Sequence, residues 1–108
     1  MTTLCDVQDR IREEMLDTMN PLNVRETVYA GVFEEAGEIA GIHKRQHRDL
    51  PLDRLKASKE NLIEEIGDLL WYLTALCCVE DLNLQEVYNY NVRKLEERYG
   101  HNKSSRTL

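Results

Sequence analysis

A chain of 108 residues is one domain's worth of sequence, at roughly 100–200 residues per domain. Fourteen basic and 20 acidic residues leave a net charge of −6, which excludes the cationic footprint that a DNA or RNA partner requires. Five glycines, two prolines and an apolar fraction of 42% exclude collagenous and disordered classes, and plentiful Leu, Glu and Arg favour helix. Three cysteines (Cys5, Cys77 and the adjacent Cys78) form no C-x-x-C and point to a reducing compartment. The stretch Met1 to Arg10 is polar, unlike a secretion signal. The longest uncharged apolar run, Leu69 to Val79, falls far short of the roughly 20 residues that span a bilayer. A cytoplasmic protein with no membrane partner is the expectation.

Four helices follow in chain order. The first is predicted over about Leu4 to Met19, ending before Asn20-Pro21. The second opens at Asn23, where N-V-R-E reads as a capping box, and runs to about Arg48 before Asp49-Leu50-Pro51. A polar connector is expected from Leu50 to Ala57, with Ser58 as the N-cap of a third helix reaching Asp81. Asn83 and Glu86 form another capping box, opening a fourth helix that stops near Gly100. His101 to Leu108 reads as a polar tail. Short loops between such helices favour an antiparallel four-helix bundle, all-α, over residues 1–100.

Two segments depart from ordinary helix surface. Glu34-Glu35-Ala36-Gly37-Glu38 and Glu64-Glu65-Ile66-Gly67-Asp68 share the form E-E-x-G-acid. On a wheel of about 100° per residue, Glu35 falls inside the stripe of Val28, Val32, Ile39 and Ile42, with Glu38 on its shoulder. On the third helix, Glu65 and Asp68 flank the stripe of Leu62, Ile66, Leu69, Leu73 and Leu76. Each helix thus carries an i, i+3 acidic pair at an apolar seam. If the two helices pack antiparallel, four carboxylates converge, and no Lys or Arg lies on those stripes. An unpaired carboxylate there is costly. A divalent cation is the simplest neutraliser, and an all-oxygen donor set selects Mg²⁺ or Mn²⁺ over zinc. Mid-helix glycine costs about 1 kcal/mol relative to alanine, so Gly37 and Gly67 suggest a close approach of backbone or ligand. No E-x-x-H pairing involves His43, His47 or His101, which counts against a di-iron bundle. Trp71 falls opposite the third helix's main stripe, which implies burial on two sides and a partner subunit, most simply in a homodimer. Cys77 and Cys78 have no basic neighbour on their helix and read as packing residues.

The spaced motifs E-E-A-G-E and E-I-G-D, with D-L-L-W-Y-L and N-V-R-K-L-E-E-R-Y, resemble the MazG-like all-α nucleoside triphosphate pyrophosphohydrolases over about Asn23 to Gly100. The resemblance implies Mg²⁺-dependent hydrolysis of a (deoxy)nucleoside triphosphate to monophosphate and pyrophosphate, in nucleotide-pool control, by a dimer or tetramer. It implies Glu35, Glu38, Glu65 and Asp68 as metal ligands. Asn91, Lys94 and Arg98 would reach the phosphates, with Tyr72 and Trp71 near the sugar or base. Glu38 is the expected proton acceptor, with Glu34 as its rival. His43-Lys44-Arg45 holds none of the aromatics that some members carry after the first acidic motif. Two other readings stand beside this one: a phosphoribosyl-ATP pyrophosphohydrolase type, and a non-catalytic acidic helical interaction module.

Overall fold

The computed structural model describes the backbone of residues 1–46 and 52–100, and the side chains of 1–44 and 58–100. The expected end of the second helix at Arg48, its Asp49-Leu50-Pro51 stop, His47 and the tail from His101 to Leu108 lie outside the described residues. The chain forms α1 (Leu4–Thr18), α2 (Val24–Gln46), α3 (Leu52–Val79) and α4 (Leu84–Tyr99), with no strand among the described residues. No helix among them is long and apolar enough to cross a membrane.

Local chemistry explains where the helices begin and end. Thr3 caps α1: its Oγ1 accepts from the Asp6 amide at 3.1 Å, and the Asp6 carboxylate accepts from the Thr3 amide at 2.9 Å. That backbone hydrogen bond holds the Asp6 carboxyl below its ordinary range. Before α2, the Asn20 side chain accepts from the Leu22 amide at 2.9 Å, so the turn at Pro21 closes on an Asx contact. Asn23 stands directly before α2 and its carbonyl takes the Thr27 amide, the first bond of the helix. Asn83 caps α4, its Oδ1 accepting from the Glu86 amide at 3.0 Å, and Gly100 ends it at a φ of 79°.

Two expected boundaries are corrected. Helix α3 starts at Leu52, so the described part of the expected connector is helical and Ser58 lies inside the helix rather than capping it. The segment Asp53-Arg54-Leu55-Lys56-Ala57 follows a proline, places an acid in the first turn, and is otherwise made of good helix formers. At its other end α3 stops at Val79 rather than Asp81. The Asp81 amide bonds to Cys78 O at 3.3 Å and the Leu82 amide to Cys77 O at 2.7 Å, a Schellman closure with Asp81 in the left-handed region at φ 56°.

Helices α2 and α3 make the main pairing, α1 packs on α3, and α4 rests on α1. The α2–α3 pair is antiparallel, since Arg25 at the start of α2 makes an ion pair with Glu80 just past the end of α3. Ile11, Met15, Val28 and Ala75 form the core, and Trp71, Leu76, Cys78 and Val79 pack against it. Trp71 is half-buried, packed in part against the chain's own core. The open apolar side of α3 lies elsewhere: Ile63, Ile66, Leu70 and Leu73 are exposed, including two members of the stripe expected to face the core. Phe33 on α2 is 83% exposed, and α4 has no buried residue. The radius of gyration, 17.2 Å, exceeds the about 13 Å of a closed 100-residue domain. A single chain leaves much of its apolar surface uncovered.

One glycine fixes the α2–α3 approach. A Cβ built on Gly31 would overlap Cε1 of Tyr72, so the Tyr72 ring sits directly on the α2 backbone. Gly31→Ala forces ring or helix to move, an overpacking cost of about 1–3 kcal/mol. A fall of that size in urea unfolding free energy, with helix content unchanged, is the expected result.

Candidate metal and substrate site

Helix α2 contributes Glu35 and helix α3 contributes Glu65 and Asp68, which share a face by their i, i+3 spacing. Antiparallel pairing brings these three together, with one carboxylate oxygen of each lying within 4.8 Å of the others. Glu35 and Glu65 are half-buried and Asp68 is exposed. Glu35 Oε2 is buried and has no hydrogen-bond partner. The Glu35 carboxyl is pushed up to about 7, first by the hydrogen bond to Glu65 that only a protonated carboxyl can make, then by burial and by the charges of Glu65, Asp68 and Glu34.

The wheel placed Glu35 inside the apolar stripe, and the structure agrees. Val28, Gly31 and Ile42 on the same side of α2 are buried. Beside the acids, Glu35, Asp68, Trp71 and Tyr72 line a cleft of about 350 Å³. Trp71 and Tyr72 meet edge to face, with ring centroids 5.2 Å apart at 80°, so the two rings brace one another. Tyr72 is held from its other side by the Gly31 backbone.

Other residues singled out in the sequence are not gathered here. Glu38, one turn beyond Glu35 on α2, is exposed and outside the three-carboxylate group. The expected convergence of four carboxylates is a convergence of three. Asn91, Lys94 and Arg98 are exposed on α4, which packs on α1. None of them lines the cleft. A Cβ at Gly37 or Gly67 meets nothing within 4 Å, so neither glycine serves a close approach among the described residues. That role belongs to Gly31. Its signal was a glycine on the same side of α2 as Glu35, where the acid-glycine echo drew attention to its neighbours.

The three carboxylates fit a hard divalent cation. Oxygen ligands around Mg²⁺ at about 2.1 Å stand roughly 3 to 4 Å apart, and one oxygen of each acid already lies within 4.8 Å of the others. An orphaned buried oxygen beside two more carboxylates is unfavourable without a cation or a proton.

Comparison with known proteins agrees with this arrangement. The family model of the MazG nucleotide pyrophosphohydrolase domain matches residues 24–102, which include all three acids and α4. The gene 37 protein of Mycobacterium phage L5 is 35% identical over 71 residues, covering 66% of this chain and 62% of that protein. The chain thus aligns with less than two-thirds of its phage relative's length. No solved structure matches the chain.

The crowding has a measurable consequence. Glu35 titrates near 7 when folded against an ordinary value of 4.5, so between these values the folded chain binds the extra proton. Stability from this group is therefore complete below about pH 4.5 and is lost as pH rises through about 7. In EDTA at pH 8, Glu35→Gln is expected to melt above the parent, and the gap should close as pH falls to 4.5. Mg²⁺ or Mn²⁺ should raise the parent's melting temperature and leave that of Glu35→Gln nearly unchanged.

Proposed function

Since the chain belongs to the MazG nucleotide pyrophosphohydrolase family, we propose that it hydrolyses a (deoxy)nucleoside triphosphate to the monophosphate and pyrophosphate, in control of the nucleotide pool. The observation that carries this reading is the buried, unpartnered oxygen of Glu35 within reach of Glu65 and Asp68. Those three carboxylates would hold Mg²⁺, with Mn²⁺ as a substitute, and Glu38 would join them from the next turn of α2. When bound, the cation supplies charge neutralisation on the phosphoryl oxygens and lowers the pKa of a coordinated water.

The chain's own groups do the rest. In the reaction, a water oxygen bonds to the α-phosphorus, the bond from that phosphorus to the α–β bridging oxygen breaks, and pyrophosphate leaves. Glu38 takes the water's proton: its carboxylate is solvated and sits one turn from the ligand cluster. Tyr72 and Trp71 form the cleft wall against which sugar and base would rest. Phosphoanhydride cleavage asks the protein for positioning and electrostatics rather than covalent chemistry, which suits a site made of carboxylates and aromatic rings.

Asn91, Lys94 and Arg98 would bind the phosphates, and a homodimer or tetramer supplies the route. With Val87 and Tyr90 they lie on one exposed flank of α4, between about 20° and 120° round the helix from Leu84 at about 100° per residue. That side offers apolar residues and cations together. Helix α3 exposes Ile66, Leu70 and Leu73 as well, on a side about 140–160° round the helix from Asp68 at about 100° per residue. The cations of α4 and the acids of α2 and α3 complement one another in charge, so α4 of one copy would sit against the acids of another.

The direct test is pyrophosphate release from a panel of nucleotides, with Mg²⁺ and with EDTA. Release should require the metal and fall at least 100-fold in Glu35→Gln and in Glu65→Gln. Intact metal binding with no turnover of any triphosphate would favour a non-catalytic acidic module instead. Mixing Glu35→Gln with Lys94→Ala subunits tests the shared site. Each variant alone should be nearly inactive, while mixed dimers should recover up to half of the parent activity per dimer through one intact site.

A further inference from the structure

The polar tie between α1 and the corner joining α3 to α4 involves a residue with no place in the acidic motifs. Gln8, in the second turn of α1, is only 3% exposed. Its Nε2 donates to the Leu82 carbonyl at 2.8 Å, with the Cys78 sulfur at 3.8 Å, and its Oε1 accepts from the Leu84 amide at 2.8 Å. One carboxamide thus pairs with the backbone on both sides of Asn83, as a peptide group in a neighbouring strand would. Leu84 is the first residue of α4, and its amide has no partner within the helix. Asn83 satisfies the Glu86 amide and Gln8 satisfies that of Leu84, so α4 is capped jointly from its own corner and from α1.

This arrangement bears on the proposed phosphate-binding residues. Packing holds α4 weakly, since none of its residues is buried. Half-buried Leu84, Val92 and Leu95 lie on the side that rests on α1, while Asn91, Lys94 and Arg98 are exposed. Lys94 lies ten residues beyond Leu84, about 15 Å along the axis at 1.5 Å per residue. A tilt of 20° at the corner would displace it by about 5 Å, enough to lose a phosphate contact. We infer that Gln8 is a positioning residue: by tying both backbone groups of the α3–α4 corner to α1, it sets the direction of α4 and so the placement of Asn91, Lys94 and Arg98 at the phosphates. The inference rests on the phosphate role proposed for those three residues.

The test compares the parent with Gln8→Leu, which keeps the bulk and loses both hydrogen bonds, and Gln8→Glu, which keeps the acceptor for Leu84 and loses the donor to Leu82. Calorimetric titration with inorganic tripolyphosphate and Ca²⁺ reads phosphate affinity without turnover, and Mn²⁺ titration reads the carboxylate cluster. Gln8→Leu is expected to weaken tripolyphosphate binding about 10-fold and to raise KM for the triphosphate by a similar factor. Mn²⁺ affinity should stay within twofold, and Gln8→Glu should fall between the two. Amide exchange at Leu84 should quicken in both variants. Should Gln8→Leu unfold, Gln8→Glu carries the same comparison. Unchanged tripolyphosphate affinity in a variant with faster Leu84 exchange would overturn the inference, as would parallel losses of Mn²⁺ and tripolyphosphate affinity. A parent that binds tripolyphosphate yet hydrolyses no nucleotide would overturn the enzymatic reading while leaving that of Gln8 standing.

Discussion

Three carboxylates pressed together across a pair of antiparallel helices are the constraint on which the rest of this protein depends. Glu35 enters from α2, Glu65 and Asp68 from α3, and Glu35 carries a buried oxygen with no hydrogen bond. Hydrophobic packing of α2 on α3 imposes that proximity, because Glu35 shares its side of the helix with buried Val28, Gly31 and Ile42. The packing that stabilises the pair also crowds its charges. The fold therefore holds an electrostatic cost that a hard cation or a proton relieves, and the raised Glu35 pKa expresses it.

Around that pair the other elements divide the work. Helix α1 brings Ile11 and Met15 to the core against which Trp71 packs, and Trp71 and Tyr72 brace one another edge to face beside the acids. Tyr72 holds its position because Gly31 lets its ring rest on the α2 backbone. Helix α4 is attached differently. With no buried residue of its own, it is directed by polar contacts at its first turn, above all those of Gln8. The exposed apolar sides of α3 and α4 leave the domain unfinished as a single chain.

Much of the helical layout was legible in advance. Leu4 and the stops near Met19 and Gly100 follow from capping residues, glycine and proline acting over one helical turn, which sequence spacing reports directly. The third helix was the exception: Ser58 reads as a cap, yet helix formers running from Asp53 to Ala57 carry the helix back to Leu52. The acidic echo was legible for the same reason, since i, i+3 spacing and the neighbouring apolar stripe are intrahelical facts. Gly37 and Gly67 misled because a glycine's purpose depends on what touches it, and among the described residues a Cβ at either would meet nothing within 4 Å.

By itself the sequence determined the helical class, the family resemblance, and the placement of an acidic pair on each of two apolar seams. These follow from a period near 3.6 residues and from motif spacing, both of which are properties of one helix at a time. Only the tertiary structure decided that Glu38 stays outside while Glu35, Glu65 and Asp68 meet, that Trp71 packs half-buried against the core, and that Gln8 ties down the start of α4. Those outcomes depend on how far each helix slides and rotates against its neighbour. Shape-matched contacts such as Gly31 against Tyr72 set that register, and they join residues far apart in the chain that no local pattern relates.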